Sequence, residues 1–322
     1  ASDVYKRQVD YYYRKGTDLI GLRMLPLETG YTSTTVNWAQ MENEGVEVAL
    51  TTRNIHTKDF TWFTNLNFGY NDNTVLRETV AENAIKPSRE GYSVGAIFAY
   101  KTAGLDDEGY PLFLTQDGRK VTATEFFKLN NAGASTLSAE EQRNLYSYIG
   151  STEPKVSGGF MNTFKYKRVT LGINCIFNFG MYVQTTPTYD PTNYDRGLNS
   201  NRDILNRWTP DHTNTTLPKL MTENDGRTGE YLRYKEQNLF RELDIWVKKQ
   251  NYFRFESIRL GYELPEKWLK PVGIKSASVS LEGRNLWVIA SNYHNYLDPE
   301  TMGNPYAAPI PKSFIFGLNV NF

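Results

Sequence analysis

The clearest structural signal in the chain is the alternation in Phe314-Ile-Phe-Gly-Leu-Asn-Val-Asn-Phe322. Every second residue from Phe314 is apolar, and the residues between them are mainly asparagine and glycine. Because successive side chains of a β-strand point to opposite faces, this pattern predicts a strand with one oily and one polar face. A tilted strand needs about 9–11 residues to cross a bilayer, so a stretch of this kind is long enough to span one.

The same alternation recurs along the chain. The polar positions carry mostly Asn, Gly, Thr and Ser, which suit the water-filled interior of a membrane β-barrel. The segments with this pattern are 9–13, 46–50, 60–71, 160–166, 169–181, 258–262, 276–287 and 314–322. They predict an all-β, antiparallel transmembrane barrel fragment with about eight spanning strands.

The connections between these segments alternate between short and long. Short connections fall at 54–59, 166–168 and 265–273, and long polar ones at 16–40, 71–153, 184–250 and 291–312. Bacterial barrels have short periplasmic turns and longer extracellular loops. All short turns can lie on the periplasmic side only if residues 97–100 belong to an outer loop and do not span the membrane. Loops above about 12–15 residues are usually functional or disordered, and several of this size favour a part of a larger barrel.

Composition excludes several classes of protein. The formal net charge is 0, so the chain lacks the excess of basic residues with which proteins bind the phosphates of nucleic acids. The mean hydropathy is −0.55 and no run of about 18 apolar residues occurs, which excludes a transmembrane helix but not a spanning strand. The aromatic content of 14% is typical of a barrel with aromatic girdles. Cys175 is the only cysteine, so no disulfide framework or cysteine cluster for a metal is possible.

Several local motifs occur together in one order and resemble the C-terminal barrel of SusC/RagA-type TonB-linked outer-membrane proteins. The motifs are Asn43-Glu-Gly-Val-Glu47, Gly104-Leu-Asp-Asp-Glu-Gly-Tyr-Pro111, Tyr252-Phe-Arg-Phe-Glu-Ser-Ile-Arg-Leu-Gly-Tyr-Glu-Leu-Pro265, Gly283-Arg-Asn-Leu286, Leu297-Asp-Pro-Glu300 and Phe316-Gly-Leu-Asn-Val-Asn-Phe322. The resemblance covers nearly the whole chain after Gln8. Residues 1–8 lack the alternation and are interpreted as a non-native leader, and residues 9–322 as the barrel part.

The resemblance implies a location and a function. Proteins of this type are similar to 22-stranded plugged transporters of the outer membrane, and they import oligosaccharides or peptides in Bacteroidota. A SusD-like surface lipoprotein caps the barrel, and TonB supplies energy through an N-terminal segment. The plug domain and that N-terminal segment do not match any part of this sequence. The expected partners are therefore outer-membrane lipid, a SusD-like lipoprotein, TonB and a glycan or peptide ligand, with no nucleic acid.

Aromatic side chains among polar residues of the long loops are the candidate ligand or partner contacts. A sugar ring stacks on a flat aromatic face while neighbouring polar groups bind its hydroxyls. The alternative is packing between loops, because tyrosine commonly buries its ring and keeps its hydroxyl wet. The candidates are Trp208, Tyr231, Tyr234, Tyr293 and Tyr296.

No catalytic or resident cofactor chemistry is expected. The chain has no Gly-x-Ser-x-Gly elbow, and His56, His212 and His294 are far apart in predicted turns and loops. Asp106 and Asp107 precede Gly109 and could help to bind Ca²⁺ through hard oxygen ligands. The alternative is a solvated turn in which aspartate and glycine serve the backbone geometry.

Charged residues also occur in the predicted strands. A charge that faced lipid at mid-depth would cost about 2–4 kcal/mol, so most of them are expected to face the interior or the membrane interface. By alternation, Arg254 and Glu256 fall on the apolar face of their strand, which would place them above the lipid band. The other members of the set are Arg259, Glu282 and Arg284.

Two other functions remain open at this stage. One is a TonB-dependent receptor for siderophores or cobalamin. The other is a secreted β-sandwich that acts on carbohydrate, since a sandwich also alternates. The sandwich predicts oily faces packed on a second sheet, whereas the barrel predicts oily faces without a protein cover.

Overall fold

The computed structural model describes residues 6–25, 27–31, 33–193, 201–292, 298–304 and 306–322. Its main feature is one eight-stranded antiparallel sheet in which each strand pairs with the next spanning strand along the chain. These strands are β1 (Lys6–Met24), β2 (Ser33–His56), β3 (Phe60–Arg77), β4 (Val156–Tyr166), β5 (Val169–Phe179), β6 (Tyr252–Glu263), β7 (Ser276–Ala290) and β8 (Ser313–Asn321). The predicted number of spanning strands is confirmed.

The sheet has one apolar and one polar face. Leu171, Leu260, Leu281 and Phe316 lie opposite one another across four strands and form an apolar row. The last three are exposed by 50%, 53% and 73%, and no element of the described chain covers them. A large uncovered apolar surface is unfavourable in water and favourable in lipid. The sheet is therefore built to face a bilayer, and the β-sandwich alternative is excluded.

The connections alternate in length as predicted. β4 and β5 meet at the two-residue turn Lys167-Arg168, where Lys167 takes a positive φ of 52°. The other two short connections lie at the same end, and the β6–β7 connection contains a one-turn helix at Glu266–Leu269 and a 3₁₀ turn at Lys270–Val272. All long connections leave the opposite end, which we call the mouth.

The first two strands are longer than the sequence predicted. Residues 16–40 do not form one long loop, because β1 continues to Met24 and β2 begins at Ser33. Irregular pairing around Gly16, Leu19 and Ile20 breaks the alternation that would have indicated these extensions. β1 also begins at Lys6, which lies opposite Thr51. The interpretation of residues 1–8 as non-native stays a prediction.

The long connections at the mouth carry their own secondary structure. Residues 97–100 lie outside the main sheet, as predicted, because Ala96–Ala99 pairs with Ser147–Ser151. The other short strands are Thr102–Leu105, Pro111–Leu114, Lys120–Val121, Tyr182–Gln184 and Val247–Lys249. The helices are α1 (Ala123–Phe127), α2 (Ala139–Arg143) and α3 (Thr228–Gln237), together with 3₁₀ turns at Leu27–Thr29, Arg202–Asn206, Glu223–Asp225, Leu239–Glu242 and Asp244–Trp246.

The hydrophobic core of the described chain lies in these loops rather than in the sheet. Phe113, Phe127 and Leu243 are fully buried there and pack with Tyr100 and Leu239. We call the unit formed by residues 96–151, 182–193 and 201–250 the loop body. Among the described residues, none of the helices has the length and apolar character that a membrane span requires.

Candidate functional site at the mouth

A β-bulge in β6 decides which side chains face the polar side of the sheet. Cys175 lies opposite Phe255 and Asn174 lies opposite Ser257, so Glu256 is an extra residue in the ladder. A bulge shifts the alternation by one residue. The assignment of Arg254 and Glu256 to the apolar face is therefore wrong. Arg254 lies on the polar face, and Glu256 accepts a hydrogen bond of 2.6 Å from the Asn174 amide.

Arg254 fastens a mouth segment to the polar face. Its Nη2 donates to Asp298 Oδ1 and its Nε to Glu300 Oε1, both at 2.5 Å. The Arg254 and Asp298 side chains are only 3% and 7% exposed. A buried charge is tolerated only when it is paired. The Asp298-Pro-Glu300 motif thus supplies the counter-charges that Arg254 requires.

The remaining strand charges form local contacts. Arg284 Nε donates to Glu282 Oε1 at 2.6 Å within β7, and Arg259 Nη2 donates to the Ser280 hydroxyl at 3.3 Å. All three charged residues lie on the polar face, because Arg259 is opposite Glu282 and Arg284 is opposite Ser257. The expectation that these charges face the interior side is confirmed.

The motif that contains Asp106 forms a tight turn in the loop body. Asp106 Oδ1 accepts hydrogen bonds from the backbone N–H groups of Glu108 and Tyr110, while its Oδ2 pairs with Arg227 at 2.7 Å. Gly109 has a φ of +83°, which favours glycine, and a Cβ there would lie 2.4 Å from the Trp208 ring. The motif joins two parts of the loop body that are distant in sequence.

Charged side chains also surround Tyr110, at the end of the same turn. Its hydroxyl donates to Asp225 at 2.9 Å, and the Arg227 guanidinium lies 4.4 Å from the centroid of its ring. Burial opposes ionisation of Asp225, but hydrogen bonds from Thr222 and Lys219 outweigh it and lower the pKa of the Asp225 carboxyl. Burial and the bond to Asp225 raise the pKa of Tyr110. This network holds the turn, α3 and the segment at 219–225 together.

The structure brings several of the predicted contact residues into one unit. Trp208 is half-buried on Gly109, and Tyr231 and Tyr234 of α3 are 9% and 3% exposed in the loop-body core. In this arrangement the two tyrosines pack against other loops, which is the alternative weighed from the sequence. Their contact with a ligand or partner stays a prediction. Tyr293 and Tyr296 lie outside the described residues.

The calcium hypothesis also stays a prediction, but its ligands are engaged. Both carboxylate oxygens of Asp106 have protein partners, and Arg227 supplies the positive charge beside it, whereas Asp107 is exposed. Within the described ranges, no group of three His, Cys, Asp or Glu side chains is placed to hold a metal ion.

An aromatic pair at the mouth was missed from the sequence. Tyr92 and Tyr148 stack with their ring centroids 4.7 Å apart, and they are 40% and 39% exposed. They lie in the long connection between β3 and β4, where no alternation marks the fold. Tyr148 and Gly150 alternate within the short strand Ser147–Ser151, but two such residues do not indicate a stacked pair with Tyr92.

Known proteins resemble this chain over almost its whole length. No family model matches it. It is 26% identical over 97% of its length to TonB-dependent receptor P3 of Formosa agariphila, and 22% identical over 98% to TonB-dependent receptor SusC of Bacteroides thetaiotaomicron. It covers 32% and 30% of these relatives, respectively. The chain thus spans about a third of the length of the curated relatives that it matches.

Solved structures have the same fold. The RagAB peptide importer in its open-open state matches 99% of this chain with a TM-score of 0.74, at 23% identity, and 33% of the matched RagAB chain is covered. The RagAB peptide transporter matches with a TM-score of 0.72 at 24% identity. These matches agree with the membrane-facing sheet and with the expected location in the outer membrane. The chain is thus similar over almost its whole length to TonB-dependent receptors that include SusC, and it has the fold of part of the RagAB importer.

Proposed function

We propose that this chain is the C-terminal barrel part of an outer-membrane, TonB-dependent importer of oligosaccharides or peptides. The observation that carries the proposal is the combination of an uncovered apolar sheet face with a folded loop body at one end. A wall of this kind separates lipid from a polar interior, and the loop body lies where a solute would enter. The proposed role is passage and recognition rather than catalysis.

The proposed substrate class rests on the relatives. The matched RagAB structures are those of a peptide importer, and the SusC/RagA resemblance implies oligosaccharides or peptides. Asn, Ser, Thr and Gly dominate the polar face of the sheet, and such groups can exchange hydrogen bonds with either class of solute. Siderophores and cobalamin are the alternative cargo.

The proposed partners follow from the same resemblance. A SusD-like lipoprotein would cap the mouth and contact the loop body, and TonB would act through an N-terminal segment of the receptor. The loop body suits a docking role because its buried core and paired charges hold its surface in one shape. A rigid surface loses little conformational entropy on binding.

The test is uptake by cells that carry the full-length receptor as their only importer of this kind. Labelled neutral oligosaccharides, peptides, a ferric siderophore and cobalamin are supplied separately, with and without TonB. We expect TonB-dependent uptake of oligosaccharides or peptides, and its loss when the partner lipoprotein is deleted. Uptake restricted to the siderophore or cobalamin would contradict the proposal.

A further inference from the structure

A small cleft lies at the mouth between the ends of β3 and β4 and the loop body. Its volume is about 230 Å³. Asn71 and Asn73 of β3 form one wall, and Tyr92 and Tyr148 form another. We call it the Tyr92–Tyr148 cleft. This volume is below the range of about 300–1,000 Å³ typical of sites for drug-sized ligands, so it suits one unit of a longer chain.

The aromatic wall is held in place from behind. Phe98 packs edge-on against Tyr92 and Tyr148, with ring centroids 5.3 Å and 6.0 Å away. Stacked and edge-on rings of this kind fix each other's orientation. About two-fifths of each tyrosine stays exposed. The result is a pre-formed platform of apolar carbon with hydroxyl groups at its rim.

Polar groups surround the platform. The Ser93 hydroxyl lies 2.8 Å from that of Ser151 and donates to Glu153 at 3.2 Å. Lys155 pairs with Asp72 at 3.3 Å. Among the lining residues, Asp72, Glu153 and Lys155 carry the charges, so the Glu153 carboxylate leaves the cleft with a negative excess.

The cleft lies beside β3 beyond the last residue that pairs with β4, and residues of both faces of β3 line it. Asn71 lies opposite Gly45, where a Cβ would collide with the Tyr12 hydroxyl, and that hydroxyl donates to Asn71 Oδ1 at 2.8 Å. Asn71 and Asn73 alternate with outward residues such as Tyr70, so both belong to the polar side. The wall formed by Asn71 and Asn73 therefore adjoins the polar side of the sheet, whereas Asp72 and Thr74 are in phase with the outward side.

We propose that the Tyr92–Tyr148 cleft binds one sugar ring of a neutral oligosaccharide. This inference rests on the proposed import function and selects one of its two substrate classes. The C–H face of a sugar ring packs on an aromatic platform. The hydroxyls of the sugar donate to amide oxygens and to carboxylate oxygens, and the charge of the carboxylate makes it the stronger acceptor. The negative excess disfavours uronic or sulfated sugars, because like charges repel at short range.

The test is calorimetric binding to the purified full-length receptor. The probes are maltohexaose, mannohexaose and xylohexaose, with a tryptic digest of casein as the peptide probe. The variants are Tyr92→Ala and Tyr148→Ala, with Tyr148→Trp to restore a platform. Tyr306→Ala is the matched control, since Tyr306 is 94% exposed and does not line the cleft. Heat-modifiable migration of each variant checks that the barrel has folded.

At least one hexasaccharide should bind, and each alanine variant should weaken its affinity about tenfold or more, since that corresponds to losing one ring contact. Tyr148→Trp should recover most of the loss, and Tyr306→Ala should stay within about twofold. Equal saccharide affinity in all variants would overturn the assignment of the cleft as a sugar site and leave the import proposal intact. Binding of the peptides alone would do the same. Binding of neither class would overturn both.

Discussion

At the scale of single residues, burial decides which ion pairs stabilise the mouth and which contribute little to its stability. Arg254 is enclosed with Asp298 and Glu300, whereas Arg284 pairs with Glu282 while half exposed. Breaking a buried ion pair from one side leaves an uncompensated charge, but exposed pairs are screened by water. The Arg254–Asp298 and Arg284–Glu282 pairs have similar distances but should differ greatly in their effect on stability.

Replacing Arg254 measures that difference. Arg254→Gln should destabilise the mouth by about 3–5 kcal/mol, and hydrogen exchange should become faster at residues 298–304. Arg284→Gln is the matched control and should cost at most about 1 kcal/mol. If the two variants exchange equally at 298–304, Arg254 does not fasten this segment.

Gly109 offers a second test with an internal control. Gly109 and Gly118 both have a φ of +83°, but a Cβ at Gly118 would meet open space. Alanine at either position should cost about 1–2 kcal/mol of backbone strain. Gly109→Ala should cost more, because the new methyl group displaces the Trp208 ring. Tryptophan fluorescence and hydrogen exchange of the loop body would measure this, and equal effects at both sites would contradict it.

At the scale of elements, the strands were predictable and the loop body was not. Alternation predicted the eight spanning strands, because one face of each strand meets lipid and the other meets a polar interior, although it extended β5 to residue 181, two residues past its end at Phe179. It placed Arg254 on the wrong face, since a one-residue bulge leaves no mark in the sequence. Tyr231 and Tyr234 sit in a core built from distant loop segments, and no local pattern indicates such contacts.

The bulge itself can be tested. Deleting Glu256 would remove the extra residue and leave Phe255 and Ser257 in a regular ladder with β5, with Arg254 still on the polar face. We therefore expect the full-length receptor with this deletion to keep heat-modifiable migration on gels. Deleting Asn174 from β5, which pairs with β4 without an extra residue, would turn one half of β5 over and should abolish this migration. Loss of migration on deletion of Glu256 would contradict its assignment as the extra residue.

The loop body should loosen in acid. The lowered pKa of Asp225 means that its charge stabilises the folded loop above the ordinary pKa of about 3.9. This contribution is lost as the pH falls from there through the lower value of the folded state. The protection of amides at 219–225 against hydrogen exchange, taken relative to their intrinsic rate at each pH, should therefore fall below about pH 4 in the native receptor. Asp225→Asn should exchange faster already at neutral pH and depend less on acid, and an unchanged acid response in this variant would contradict the assignment.

At the scale of the whole molecule, the sheet formed by the described residues is open rather than closed on itself. Within the described residues, β1 and β8 each pair on one side only. Unpaired edges and an uncovered apolar face favour aggregation when no further strands complete the sheet. Expressed alone in detergent, the chain should not migrate as a compact, heat-modifiable monomer. Such migration would mean that eight strands close by themselves.

The account depends most on the two-sided sheet, and β8 tests it directly. In the full-length receptor with Cys175 replaced by alanine, single cysteines from Phe314 to Val320 carry a spin label in lipid vesicles. Labels at positions 314, 316 and 318 should be relaxed by oxygen dissolved in the lipid, and labels at 315, 317 and 319 by a water-soluble nickel chelate. Accessibility without this period of two, or with the opposite phase, would contradict a lipid-facing barrel wall.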